Sequence, residues 1–293
     1  MTPLQPEQWR ARAAAHEARV RRELADAMAR RERGEKHPVD DFLWHYYNLR
    51  PGQLLRWHPG LGPEPVGWVG EGREPFDAVD FWRKRSRTIE GAHRLLVSTM
   101  AAKPRFGCFG MHEWAMVYGL DEGETRHPYL KLRFSPEETA RTVEEVGCRC
   151  SHYDAFRFFT PPARPLNLLQ PTRELQPELD QPGCLHVNMD LYKWAGKLVP
   201  AVSSELLFDS FLLARDIREV DMRASAYDLA DWGYEPITVE TPEGRAEYAA
   251  LQRGFAERAM PVRERLVEVT TELIRLGTEE LGNESVTTGR VQG

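Results

Sequence analysis

Apolar positions recur at helical spacing over most of this chain. Residues 5 to 33 read as one helix ended by Gly34, a shorter helix starts near Pro38, where proline suits a first turn, and residues 78 to 102 form a third. The clearest pattern is SELLFDSFLLARDIREVDMRA. With Ser203 or Ser204 as its cap, it turns Leu206, Leu207, Phe211, Leu213, Ile217 and Val220 towards a core. Residues 243 to 277 give one or two helices, with Pro261 expected to kink or divide them. GCLHVNMDLYKWAGKLVP reads as a short strand or loop followed by a helix that Pro200 ends.

A period of two occurs in one region. Tyr129, Lys131 and Arg133 alternate with Leu130, Leu132 and Phe134, as in a strand. Ser135, Pro136 and Glu138 then make a capping box for a helix ending at Gly147, and CRCSHYDAF is expected as a second strand. The fold class that follows is mainly α with a small β component (α+β), a helical domain carrying a strand–helix–strand unit around residues 127–160. One large domain over 1–277 is expected, helical over 1–105, mixed over 106–190 and helical again over 190–277, with 278–293 a flexible tail. Residues 50 to 75 are crowded with Gly and Pro and read as loop or short strands.

Charge and composition narrow the classes. No apolar run approaches the roughly 20 residues that span a bilayer, and the N-terminal segment is a charged helix without a signal peptide's apolar centre. A cytoplasmic protein without a membrane partner is expected. A net charge of −6 offers nucleic acid no global attraction. Nucleic acid would have to use local patches, namely the arginines of the first helix or the tetrad Arg83, Lys84, Arg85 and Arg87. Four cysteines in 293 residues are no disulfide framework and are expected as thiols or metal ligands.

Four constellations could carry chemistry. If CRCSHYDAF and GCLHVNMD were paired strands, Cys150, His152, Cys184 and His186 would pool donors for zinc or iron, beside Cys148, Asp154 and Asn188. Small buried thiols beside hydrogen-bonded histidines is the structural alternative. His112 and Glu113 precede Trp114, whose apolar wall would favour acid–base work, although adjacent residues on a regular element point apart. Glu205, Asp209, Asp216 and Glu219 make an acidic stripe, read as exposed ion pairing with Arg215, Arg218 and Arg223. In the Gly/Pro-rich loop, Trp57 could stack a planar ligand, Arg56 hold an anion and His58 donate.

The stretches HPVDDFLWHYY, RWHPG, GMHEWAMVY, HYDAFRFFTPPARPLN, CLHVNMDLYKWAGKL and REVDMRASAYDL, spanning about residues 37 to 230, resemble a family of actinobacterial proteins called 3-methyladenine DNA glycosylases. The resemblance implies a hydrolase that extrudes an alkylated purine into an aromatic pocket and uses a carboxylate on the developing sugar cation. It would assign the carboxylate to Glu113 beside Trp114, or to Asp154 beside Tyr153 and Phe156, and the proton partner to His152 or His186. Two alternatives stand beside it. One is a small-molecule or metal-dependent enzyme in which His112, His152 and His186 converge, oriented by Asp154 or Asp190, with Lys193 on the substrate. The other is a binding module without catalysis.

Overall fold

In the computed structural model, which describes residues 2–68, 75–121 and 123–289, the chain folds as helices joined by long irregular connections. They are α1 (Pro6–Glu23), α2 (Ala25–Glu32), α3 (Asp40–Tyr46), α4 (Pro51–Leu54), α5 (Ala78–Ala101), α6 (Met111–Ala115), α7 (Pro136–Val146), α8 (Tyr153–Phe156), α9 (Gln176–Leu179), α10 (Leu185–Lys197), α11 (Ser204–Arg223) and α12 (Pro242–Gly289). Part of the Gly/Pro-rich stretch, residues 69–74, lies outside the described residues, as do residues 290–293 of the expected tail. The helix of α12 carries on through the first residues of that tail, and it runs through Pro261 without dividing.

The expected strand–helix–strand unit is corrected. Helix covers 60% against 2% strand, with no sheet among the described residues, so the class is mainly α. Its central helix does form. Ser135 Oγ accepts from the Glu138 amide at 3.2 Å, Glu138 Oε2 accepts from the Ser135 amide at 3.1 Å, Pro136 opens the first turn, and Gly147 closes the helix at φ 75°. The flanking segments make only isolated bridges, Leu132 with Tyr227 and Cys148 with Asn167. A side chain explains the second. The Asn167 amide accepts from Cys150 N at 2.8 Å and donates to Cys150 O at 2.9 Å, so it satisfies the backbone groups that a neighbouring strand would have claimed. Alternation without a partner makes no sheet.

The core lies among the four long helices. α5 packs along α12, α10 against α11, and α12 covers both α10 and α11. The closest approach is at Gly277 of α12, where a Cβ would sit 2.0 Å from Cδ2 of Trp82 on α5. Gly277→Ala is therefore expected to destabilise the fold by about 1–3 kcal/mol through overpacking, although helix propensity alone would favour alanine by about 1 kcal/mol. Urea denaturation measures the sign.

Candidate functional site

α10 is buried on nearly every face, with Leu185, Val187, Asn188, Met189, Asp190, Leu191, Tyr192 and Ala195 inside, so its polar side chains must find partners within the protein. His186 and Asp190 stand one turn apart on it. α6 supplies His112 and Glu113, α11 supplies Arg218 and Asp221, and His152 and Asp154 stand at the start of α8. The rings of His112 and His186 meet edge to face at 4.3 Å, and those of His152 and His186 stack at 5.6 Å. The three histidines thus converge.

Two ionic networks meet at His186. In the first, His112 Nε2 lies 2.8 Å from Asp221 Oδ1, and Arg218 donates to Asp221 Oδ2 at 3.1 Å and to Glu113 Oε1 at 2.6 Å. His186 Nε2 stands 3.9 Å from Asp221 Oδ2. In the second, His152 Nδ1 lies 3.2 Å from Asp180 Oδ1, and the Lys193 ammonium donates to both Asp154 and Asp190, at 2.9 and 2.7 Å. Arg157 closes on Asp154 at 3.1 Å.

These environments push the imidazoles apart in protonation. Burial works against the charged form of His112, yet the charge and hydrogen bond of Asp221 outweigh it and raise the pKa above the ordinary histidine value. His152 is raised in the same way, the hydrogen bond and charge of Asp180 overcoming burial. His186 goes the other way. Burial, reinforced by charge on His112, holds it well below the ordinary value. Asp221 is held far below the usual carboxylate range because His112, His186 and Arg218 together overcome its burial.

Two sets could hold a metal. His112, His186 and Asp221 each place a donor atom within 4.8 Å of the others, and so do His152, Asp154 and Asp190. What stands among the donors separates them. The ammonium of Lys193 already bridges both carboxylates of the second set, whereas in the first Arg218 touches the single carboxylate on Oδ2, Oδ1 lies against His112 Nε2, and no ammonium stands among the donors.

The expected ligand set of Cys150, His152, Cys184 and His186 rested on paired strands, which do not form. Cys184 is instead the N-cap of α10, and Cys150 turns its Sγ towards His152 O at 3.5 Å. Neither thiol belongs to a donor cluster among the described residues. Burial pushes both thiols above their ordinary pKa, so without a metal they are neutral. They serve as cavity wall.

Two cavities open onto the centre. One, about 330 Å³, is lined by His112, His186, Cys108, Cys150, Cys184, Arg105 and Arg149; the other, about 270 Å³, by Phe42, Tyr46, Phe158, Tyr227, Glu113, Asp154, Arg126 and Arg218. His186 lines both. His112 and Glu113 face different cavities, as adjacent residues on one helical turn should.

The other expected residues lie apart. Trp114 is a core residue whose Nε1 donates to Ala224 O at 2.8 Å. Tyr153 is half-buried under Arg173. Trp57 is buried with Leu4 and Trp9 and donates to Glu205 at 2.6 Å. His58 lines a third cavity, beside Pro59, Trp68 and Phe76. Burial pushes its pKa down to about 4. Because the unfolded chain binds that proton near pH 6.5, His58 leaves stability untouched above about pH 6.5 and subtracts up to about 3 kcal/mol as pH falls towards 4. His58→Gln should flatten that part of the stability–pH curve relative to the wild type, as urea titrations at each pH would record.

Sequence reasoning missed Asp221, Arg218, Asp180, Arg105 and Arg149 as site residues. One signal was there. Leu207, Phe211, Ala214, Ile217, Arg218 and Asp221 follow the buried stripe of α11, so two charged residues occupy core positions. Arg218, expected on an exposed stripe, is 1% exposed; the stripe itself pairs outward, Asp209 with Arg19 and Arg265, Asp216 with Arg258. The basic patches are similarly engaged, with Arg21 on Glu17, Arg30 on Asp40, Lys84 on Asp80 and Arg85 on Lys197 O.

Among the described residues no helix is long and apolar enough to cross a membrane. Comparison with protein-family models, with curated proteins and with solved structures yields no match to this chain.

Proposed function

We propose that this chain is a metal-dependent enzyme acting on a small molecule, with a divalent first-row ion held by His112, His186 and Asp221. The observation that carries the reading is the convergence of two imidazoles and a carboxylate within 4.8 Å, with both imidazoles on the wall of one cavity. Two nitrogens and an oxygen suit zinc or iron(II), and three protein ligands leave positions open for substrate or water. The ion would supply a Lewis acid and a bound water that ionises near neutral pH.

The chain's own residues do the rest. Arg218 holds Asp221 by its second oxygen and is itself fixed by Glu113, which orients the carboxylate. His186 is the ready ligand because it is neutral; His112 must give up its proton, so binding should tighten as pH rises through its raised pKa. Four free cysteines suit a reducing compartment, and the proposal places the enzyme in the cytoplasm.

The glycosylase reading has less support. It needs aromatic faces open to a cationic base, but in the aromatic cavity Arg126 covers Phe158 at 3.6 Å and Arg218 covers Phe42 at 4.1 Å. Its carboxylates are engaged too, Glu113 by Arg218 and Asp154 by Lys193. Elemental analysis of the untagged, purified protein tests the proposal. About one equivalent of zinc or iron is expected, zinc directing the search to hydrolysis and iron to oxidation. Protein that carries neither, and takes up neither when supplied, would reject it.

A further inference from the structure

The cavity that holds His112 and His186 has a direction. Its inner end is made by His112 and Cys150, 4% and 5% exposed, with Cys184 and Leu185 beside them. Its mouth carries Arg105 and Arg149, both exposed, and Leu168, which at 75% is the most exposed large apolar residue among those described. None of the lining residues is Asp or Glu. The mouth is therefore cationic and partly apolar, and the walls between it and the histidines are mostly thiols and leucines, with Ser151 and Gln181 as uncharged polar members.

Arg105 is held in place. Gln181, 4% exposed, accepts from Arg105 N at 2.7 Å and from Gly183 N at 2.8 Å, and its amide donates to Arg105 O at 3.3 Å. Arg105 also donates from its guanidinium to Leu179 O at 3.2 Å. Gly183 permits this packing, since a Cβ there would lie 2.5 Å from Arg105 O. Arg149 places Nη1 3.7 Å from where a Cβ of Gly107 would stand, an ordinary van der Waals distance, so its guanidinium lies over Gly107 at the cavity mouth.

We infer that the cavity takes a monoanionic amphiphile, of which a medium-chain carboxylate is the simplest, with the anion on Arg105 and Arg149 and the far end of its apolar body at His112 and His186. The inference rests on the proposed metal centre for what happens at that far end, but not for binding. At about 330 Å³ the cavity is at the small end of ligand pockets, which suits a single short chain. Guanidinium groups bind carboxylates by charge and fork geometry, and the mostly apolar walls would take up a neutral chain with no charge to desolvate.

Calorimetric titration of the purified, full-length protein, with and without added metal, with octanoate, 1-octanol and octylamine tests the inference. Octanoate should bind, weaken with added salt, and lose about tenfold or more in affinity in the Arg105→Gln, Arg149→Gln double variant, with metal content and melting temperature unchanged. Octanol and octylamine should bind more weakly and be indifferent to the substitutions or improved by them. No binding of octanoate, equal binding of octanol, or an unaltered octanoate affinity in the double variant would overturn the inference. The metal proposal is read separately. Were His186→Asn to keep its metal, that proposal would fall while the octanoate result still decided this one.

Discussion

Arg218→Met is expected to cost the fold about 3–5 kcal/mol, the loss typical when one member of a buried ionic network is removed. Arg218 is 1% exposed and its guanidinium serves two carboxylates, Glu113 at 2.6 Å and Asp221 at 3.1 Å, with Phe42 beneath it at 4.1 Å. Methionine keeps much of the volume and none of the charge, so the buried carboxylates of Glu113 and Asp221 would lose their shared cation, leaving Asp221 with His112 as its hydrogen-bonded partner. Denaturation by urea measures the loss, and a change under about 1 kcal/mol would mean that the network is not charge-balanced as described.

The loss should also depend on pH. Asp221 has a folded pKa far below its unfolded one, so its stabilising contribution is present above the ordinary aspartate range and disappears as pH falls through and below that range. The gap between wild type and Arg218→Met should therefore narrow in acid. Adding Glu113→Gln to the methionine variant should recover part of the stability, because it removes one of the stranded charges.

The second large effect is on metal binding. His186→Asn should lower affinity by more than about 100-fold, beyond what loss of an outer-shell partner does. The fold should survive this change, since His186 is neutral and stands 3.9 Å from Asp221. Cys150→Ser and Cys184→Ser should leave affinity unchanged, because their sulfurs line the cavity outside the donor set. Competition with a chromophoric chelator reads all three. A thiol variant that loses metal while His186→Asn keeps it would return the ligand set to the cysteines.

The sequence revealed the helices and the chemistry of the site unequally. Ser135 with Glu138, Ser203 and Gly147 marked helix ends correctly because capping is local and depends on a few neighbouring residues. Leu130, Leu132 and Phe134 misled because alternation shows a strand's faces but not how much of a partner exists, and the segment pairs only at the isolated bridge of Leu132 with Tyr227. In CRCSHYDAF it was the Asn167 side chain that took the partner's place. α10 hid its true start because it is buried all round, which erases the periodicity that would have placed Leu185 inside the helix.

His112, His152 and His186 stood out by residue type, as did Asp154, Asp190 and Lys193. Their grouping follows from how α6, α8, α10 and α11 cross, and no local pattern carries that. Asp221 was missed for a related reason. Attention to the exposed acidic stripe passed over the carboxylate on the buried side of the same helix, although an ionised residue in a core stripe is the rarer and more informative sight.

Titration of metal-free protein with cobalt(II), followed by visible absorption, tests the central claim most directly. The account predicts saturation at about one equivalent with the bands of a nitrogen–oxygen site, no thiolate-to-cobalt charge transfer, weaker binding as pH falls, and no such spectrum in His186→Asn or Asp221→Asn. A spectrum that never appears in the folded wild type, or one dominated by thiolate charge transfer, would contradict it.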